Sequence, residues 1–174
     1  MANPCIFVKA VDCGIDGTIL PEAAEANPEM MGYLEKLRRK AAVIMGLAND
    51  ETSAPESIPK LVMVAAPSPY KTLSGEQLDT SSIDLLVRSI SGLGLHRAVQ
   101  ITASLATAAA AKIKGSIVYE VVSKEPVSHS GLILGHPSGT LMVSADSDDS
   151  KHINKATVFR TARRLMEGQI YWKG

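Results

Sequence analysis

Aromatic residues are scarce in this chain, with 1 Trp, 4 Tyr and 2 Phe among 174 residues. So few planar side chains provide no platform for stacked bases and no large aromatic pocket. Net charge is missing too, because 18 Lys and Arg balance 18 Asp and Glu. A neutral chain gains nothing electrostatically by approaching nucleic acid or an anionic membrane. The two cysteines, Cys5 and Cys13, are too few for a disulfide framework or a tetrahedral metal site. His96, His129, His136 and His152 show no ligand spacing, and Asp146, Asp148 and Asp149 do not follow a calcium-loop pattern. No metal site is expected, and the aspartates read as a solvated turn.

Long hydrophobic runs are absent as well. Ala98–Ala111 is uncharged over 14 residues, but it is rich in Ala, Ser and Thr. A membrane span needs about 20 mostly apolar residues. Met1–Val11 lacks the apolar length and the cleavage site of a leader. The expectation is a reduced, cytoplasmic globular protein.

What is present is enough apolar residue, 45%, to bury one core, with no internal repeat. Asn49–Pro59 (NDETSAPESIP) reads as a surface connection. Asn27-Pro28-Glu29 is a helix start: a capping Asn, Pro at the first helical position and an acid in the first turn. Met31, Leu34, Leu37, Ala41, Ile44 and Ala48 then recur as an apolar stripe. Glu35, Lys36, Arg38, Arg39 and Lys40 fill the opposite, solvated face, with Glu35 spaced to pair with Arg39.

A second helix is expected from about Arg97 to Lys112, with Gly115 as its stop. It is small and apolar all round, so it should be buried on all sides by sheet. Strands are expected at Cys5–Ala10, Leu61–Ala66, Ile83–Ile90, Ser116–Val122, Thr140–Ala145, Ala156–Arg160 and Gln169–Trp172. Thr161–Gly168 reads as a short helix. These elements make an α+β fold, a roll of strands around one buried central helix with an outer amphipathic helix.

Few residues carry chemistry. Arg97 at a helix N-terminus opposes the helix dipole. An anion there would gather Arg97, His96 and the free backbone N–H groups, and Ser89, Ser91, Gly92 and Gly94 precede them. The alternative is that Arg97 points outward and His96 is a satisfied core or capping histidine. Gly135-His136-Pro137-Ser138-Gly139 lies between two strand-like runs and has the residues of a hairpin turn, although His136 and Ser138 could face a ligand. Asn3, held extended before Pro4, either points its amide at a ligand or makes a turn. Cys5 sits beside Ile6 and Phe7, which suits a buried small hydrophobe better than a reactive thiol.

The stretches NPCIFVKAVDCGIDGTILP, LEKLRRKAAVIMGLA, RSISGLGLHRAVQITASLATAAAA, GHPSGTLMVSA and RTARRLMEGQIYW, in that order, resemble the C-terminal half of the PrpF-like family. That family includes 2-methylaconitate isomerases and 4-oxalomesaconate tautomerases, and the likeness covers nearly the whole chain. It implies a diaminopimelate-epimerase-like fold and cofactor-free proton transfer on small unsaturated di- and tricarboxylates. On that basis Asn3, Ser91, His96 and Arg97 would bind carboxylate, with His136 and Ser138 as further contacts and Cys5 as a catalytic candidate. A family member is about twice as long, and its usual catalytic Lys and Cys belong to the other half. A complementary N-terminal half or a homo-oligomer is therefore the expected partner. Leu93 stands where the family has glycine, and Ser and His replace a second cysteine near the helix start, which disfavours a two-thiol racemase. The alternative class is a non-catalytic half that binds a small carboxylate.

Overall fold

A computed structural model describes residues 3–92, 94–149, 152–161, 164–169 and 171–172. Among them the elements run β1 (Cys5–Lys9), α1 (Pro21–Glu25), α2 (Pro28–Ile44), β2 (Lys60–Ala65), β3 (Tyr70–Lys71), β4 (Gln77–Leu78) and β5 (Leu85–Ser91). They continue with β6 (Gly94–Leu95), α3 (Ile101–Ala110), α4 (Ile117–Val121), β7 (Leu132–His136), β8 (Gly139–Asp149) and β9 (His152–Val158). Seven strands form one mixed sheet in the order β1-β2-β5-β7-β8-β9, with β6 hairpinned onto β5. β1 runs parallel to β2 and β5 to β7, while the other pairs are antiparallel. The sheet curls into a half-barrel, an α+β architecture.

Side-chain alternation divides β1, β2 and β5 between two layers. Val62, Val64, Leu85 and Val87 pack with Ala103, Ala108 and Leu134 around α3. Leu61, Met63 and Ile90 pack with Leu34 and Ala24 beneath α2 and α1. Full burial of each aliphatic side chain contributes about 1.5–3 kcal/mol, so both layers are needed.

α2 begins as expected: Asn27 Oδ1 accepts the Met30 N–H at 3.0 Å, with Pro28 behind it. It ends at Ile44, short of Ala48, because Gly46 takes φ +69°. Glu35 pairs with Arg39 at 2.7 Å. Arg38, however, is fully buried rather than solvated. Its guanidinium binds Glu35 and donates to the carbonyls of Pro55 (2.6 Å) and Ile58 (2.8 Å), so it ties down the 49–59 connection.

α3 departs further from expectation. It starts at Ile101, because 94–96 is occupied by the β5–β6 hairpin, which His96 extends by donating its N–H to the Ser89 carbonyl at 2.9 Å. Nor is it buried all round. Ala103, Ser104, Thr107, Ala108 and Ala110 are enclosed, with Ser104 and Thr107 hydroxyls donating back to Ile101 and Ala103 carbonyls. Ile101, Thr102, Leu105, Ala106 and Ala109 remain on an open side, and Ile101 is 44% exposed. The sheet wraps α3 only halfway.

Three further expectations are corrected. Ser116–Val122 is the helix α4, not a strand; Ser116 caps it by accepting the Tyr119 N–H at 3.0 Å. Asp146, Asp148 and Asp149 belong to β8, which runs on to pair with β9, rather than to a turn. Described residues within 161–172 form neither the expected helix nor the expected strand, while 162, 163 and 170 lie outside the described residues. No helix among the described residues is long and apolar enough to cross a membrane.

Candidate functional site

The N-terminal approach to α3 collects several sequence-singled residues on one sheet edge. Asn3, extended by Pro4, donates its amide to Thr102 Oγ1 in the first turn of α3, at 3.2 Å. Two residues on, Cys5 lies in β1 opposite Lys60 of β2 and packs into the α3 layer. At the end of β5, Ser91 Oγ and His96 Nε2 are 2.9 Å apart. Ser89 Oγ donates to Gln100 Oε1 at 2.5 Å, and Gln100 Nε2 is buried without a partner. At the start of α3, whose opening N–H groups no helical carbonyl can reach, Asn3 meets Thr102 and Ser89 meets the cap residue Gln100, while Ser91 and His96 bond to each other nearby in the β5–β6 hairpin.

Burial dominates the electrostatics. It pushes the Cys5 thiol up to about 11, with the Lys60 charge opposing only in part. The His96 imidazole sits below its ordinary value, first through burial and then through Lys60. Cys5 is thus a protonated thiol at neutral pH, and His96 is neutral.

The other candidates stand apart. Arg97 is three residues before the α3 cap, and its guanidinium bridges to Glu22 of α1 at 3.0 Å; both side chains are more than half exposed. Ser138 occupies the β7–β8 hairpin turn, where Gly139 takes φ +134°, and its hydroxyl donates to the Arg97 carbonyl at 2.7 Å. His136 is enclosed, and its Nδ1 accepts the Ser138 N–H at 3.2 Å. Burial, then the charge of Arg88, lower its pKa to about 4.

Arg88 and Lys60 were not singled out by the sequence. Arg88 is fully buried, donating to Ile19 (2.6 Å), Val87 (2.9 Å) and Gly135 (3.2 Å) carbonyls with its centre 5.0 Å from the Tyr70 ring. Tyr70 in turn donates to the His136 and Gly139 carbonyls. The available signal was a cation inside an apolar strand, LLVRSIS. For Lys60 the signal was a lysine leading directly into LVMVA. Among the described residues no group of His, Cys, Asp or Glu could hold a metal ion.

The pattern of the PrpF protein family matches residues 1–173. The chain belongs to the PrpF family. Within it, the chain is 37% identical to the 3-methylitaconate isomerase of Eubacterium barkeri, over 98% of this chain and 46% of that protein. It is 36% identical to the 2-methyl-aconitate isomerase of Shewanella oneidensis, over 96% of this chain and 43% of that one. The (4E)-oxalomesaconate Delta-isomerase of Novosphingobium sp. is 29% identical, over 97% and 43%. A crystal structure of methylitaconate-delta-isomerase superposes with a TM-score of 0.86 at 35% identity, covering 96% of this chain and 44% of that one. The chain therefore spans less than half the length of the family relatives it matches.

Proposed function

We propose that this chain is the carboxylate-binding half of a cofactor-independent isomerase or tautomerase for small unsaturated di- or tricarboxylates of the aconitate class. The observation that carries this is the Asn3 amide on Thr102 in the opening turn of α3, together with the Ser91–His96 pair on the neighbouring strand, β5, which Ser89 ties to the α3 cap at Gln100. The family's named isomerases supply the reaction class, and the fold is that of a diaminopimelate-epimerase-like roll.

In such a reaction a base takes a proton from carbon adjacent to a carboxylate. The C–H electrons spread into the conjugated π system as an allylic anion. A proton returns at the far carbon, so the double bond moves with no net redox change. Donors already aimed at the carboxylate stabilise the charge as it develops. Here the α3 N–H groups, the Asn3 amide and the Ser91 hydroxyl hold that position, and neutral His96 orients Ser91. Ser138 and Arg97 brace the segment that delivers His96, and His136 anchors the hairpin beneath it.

A base near neutrality is the missing component. Cys5, held up to about 11, is a poor thiolate source in this half. We place the base on a complementary half, with a second copy of this chain as the alternative. The open side of α3 bounds a groove of about 400 Å³ with Ile153 and Ala156 of β9, which supports a covering partner. The second reading, carboxylate binding without catalysis by this chain alone, is favoured by the same Cys5 observation.

Proton NMR with cis- and trans-aconitate in D2O separates the two. Deuterium uptake or a moved double bond places the base within this chain. Ligand line-broadening without exchange supports the binding half. Absence of both effects rules out the aconitate class.

A further inference from the structure

The β1–β2 register pairs Cys5 with Lys60, and the β2–β5 register pairs Leu61 with Ile90. One step further along that antiparallel ladder sets Lys60 beside Ser91. Alternation decides which way Lys60 points: Leu61 and Met63 belong to the α2 layer, Val62 and Val64 to the α3 layer. Lys60 therefore shares the α3 side with Cys5 and Ser91, and Ser91 carries the row on to His96 at 2.9 Å. Four chemistry-bearing residues from β1, β2, β5 and the segment after β6 therefore stand in one row on the α3 side of the sheet.

Lys60 differs from the other cations nearby. Arg97 is paired with Glu22, Lys9 with Glu120, and Arg38 and Arg39 with Glu35. Among the described residues no ion pair engages Lys60, although it is only partly exposed. Its charge is therefore unspent within the chain, and a bound carboxylate would pair with it.

We propose that Lys60 is the cation that receives a substrate carboxylate, in the place that Arg97 would otherwise fill. The assignment rests on the carboxylate-site reading above and adds the residue that supplies its fixed charge. Asn3 and Ser91 then orient the carboxylate, while Lys60 sets its affinity.

The test follows His96 ring signals by NMR while wild type, Lys60→Met, Lys60→Arg and Lys40→Met are titrated with cis-aconitate and, separately, with sulfate. Thermal melts check each fold, and Lys60→Gln replaces Lys60→Met if the latter loses its cooperative melt. Expected are at least tenfold weaker aconitate binding in Lys60→Met, recovery to within about threefold in Lys60→Arg, and no change in the exposed Lys40→Met. The Arg variant is informative because a purely structural lysine would not be rescued by charge alone. Sulfate binding lost in Lys60→Met, with no aconitate binding in wild type, supports the anion role of Lys60 and rejects the aconitate class. Unchanged binding in Lys60→Met, or no binding of either anion to wild type, overturns the inference.

Discussion

Two internal cations, Arg88 in β5 and Lys60 in β2, are surrounded by similar residue types. Each has a histidine and a hydroxyl in its neighbourhood, His136 and Tyr70 for one, His96 and Ser91 for the other. Their environments differ. Arg88 is sealed, spending its donors on three carbonyls and an aromatic face, with only Nη2 unpartnered. Lys60, the first residue of β2, is partly exposed and has no counter-ion among the described residues. The sealed cluster holds segments together, whereas the open one has capacity left for a ligand. A cation and a histidine do not by themselves make a site; unspent hydrogen-bonding capacity near solvent does.

Replacing Arg88 with Met is expected to give the largest effect. The half-buried Ile19 carbonyl and the enclosed Gly135 carbonyl would each lose the guanidinium donor, and such a loss costs about 1–3 kcal/mol where the group is buried. With the lost stacking on Tyr70, the total is about 3–5 kcal/mol, or roughly a 10 °C lower melting temperature for a chain of this size. Circular-dichroism melts measure it. An unchanged midpoint would mean that the sealed cluster is ornamental and the contrast with Lys60 false.

The next largest expectation concerns pH. His136 is depressed from an ordinary value of 6.5 to about 4, so the unfolded chain binds more protons than the folded one between those limits. The stability due to the neutral ring is therefore complete above about pH 6.5 and is lost as pH falls toward about 4. The full displacement corresponds to about 3 kcal/mol, as an order of magnitude. Urea unfolding at several pH values should show this slope in wild type and a flatter one in His136→Gln. His96 shifts in the same direction, so a residual slope should persist in the variant. Equal slopes in the two proteins would place His136 in solvent contact.

The sequence disclosed α2 almost to the residue, since cap, proline and stripe agree, and it disclosed most strands. It did not disclose that α3 has an open side. An Ala-rich helix looks alike on every face, and only the extent of sheet closure decides which face is covered. α4 was hidden by its β-branched IVYEV, where Ser116 at the cap outweighed side-chain preference. Of the residues that the resemblance marked, Asn3 meets the first turn of α3 and Ser91 pairs with His96. Lys60 was silent because its role depends on strand register across three strands, which no local pattern encodes. Arg38 misled for the opposite reason: a charge run on a helix is ordinarily solvated, but this arginine found two carbonyls of the 49–59 connection.

The smallest expected effect on stability is the most discriminating one for function. Arg97 and Glu22 form an exposed pair, which is worth less than about 0.5 kcal/mol once solvent and salt screen it. Arg97→Ala should therefore leave the melting temperature within about 1 °C of wild type. Ser91→Ala should cost only about 1 kcal/mol, since it removes a single part-buried hydrogen bond. The two variants separate when cis-aconitate is added and binding is followed by line-broadening. Ser91→Ala should weaken binding several-fold because Ser91 lies beside Lys60 on the same face of the sheet. Arg97→Ala should leave affinity within about twofold, because its guanidinium is turned toward α1. A large loss in Arg97→Ala with Ser91→Ala unaffected would move the anion site to the outer surface, and Arg97 would then have to release Glu22 to bind.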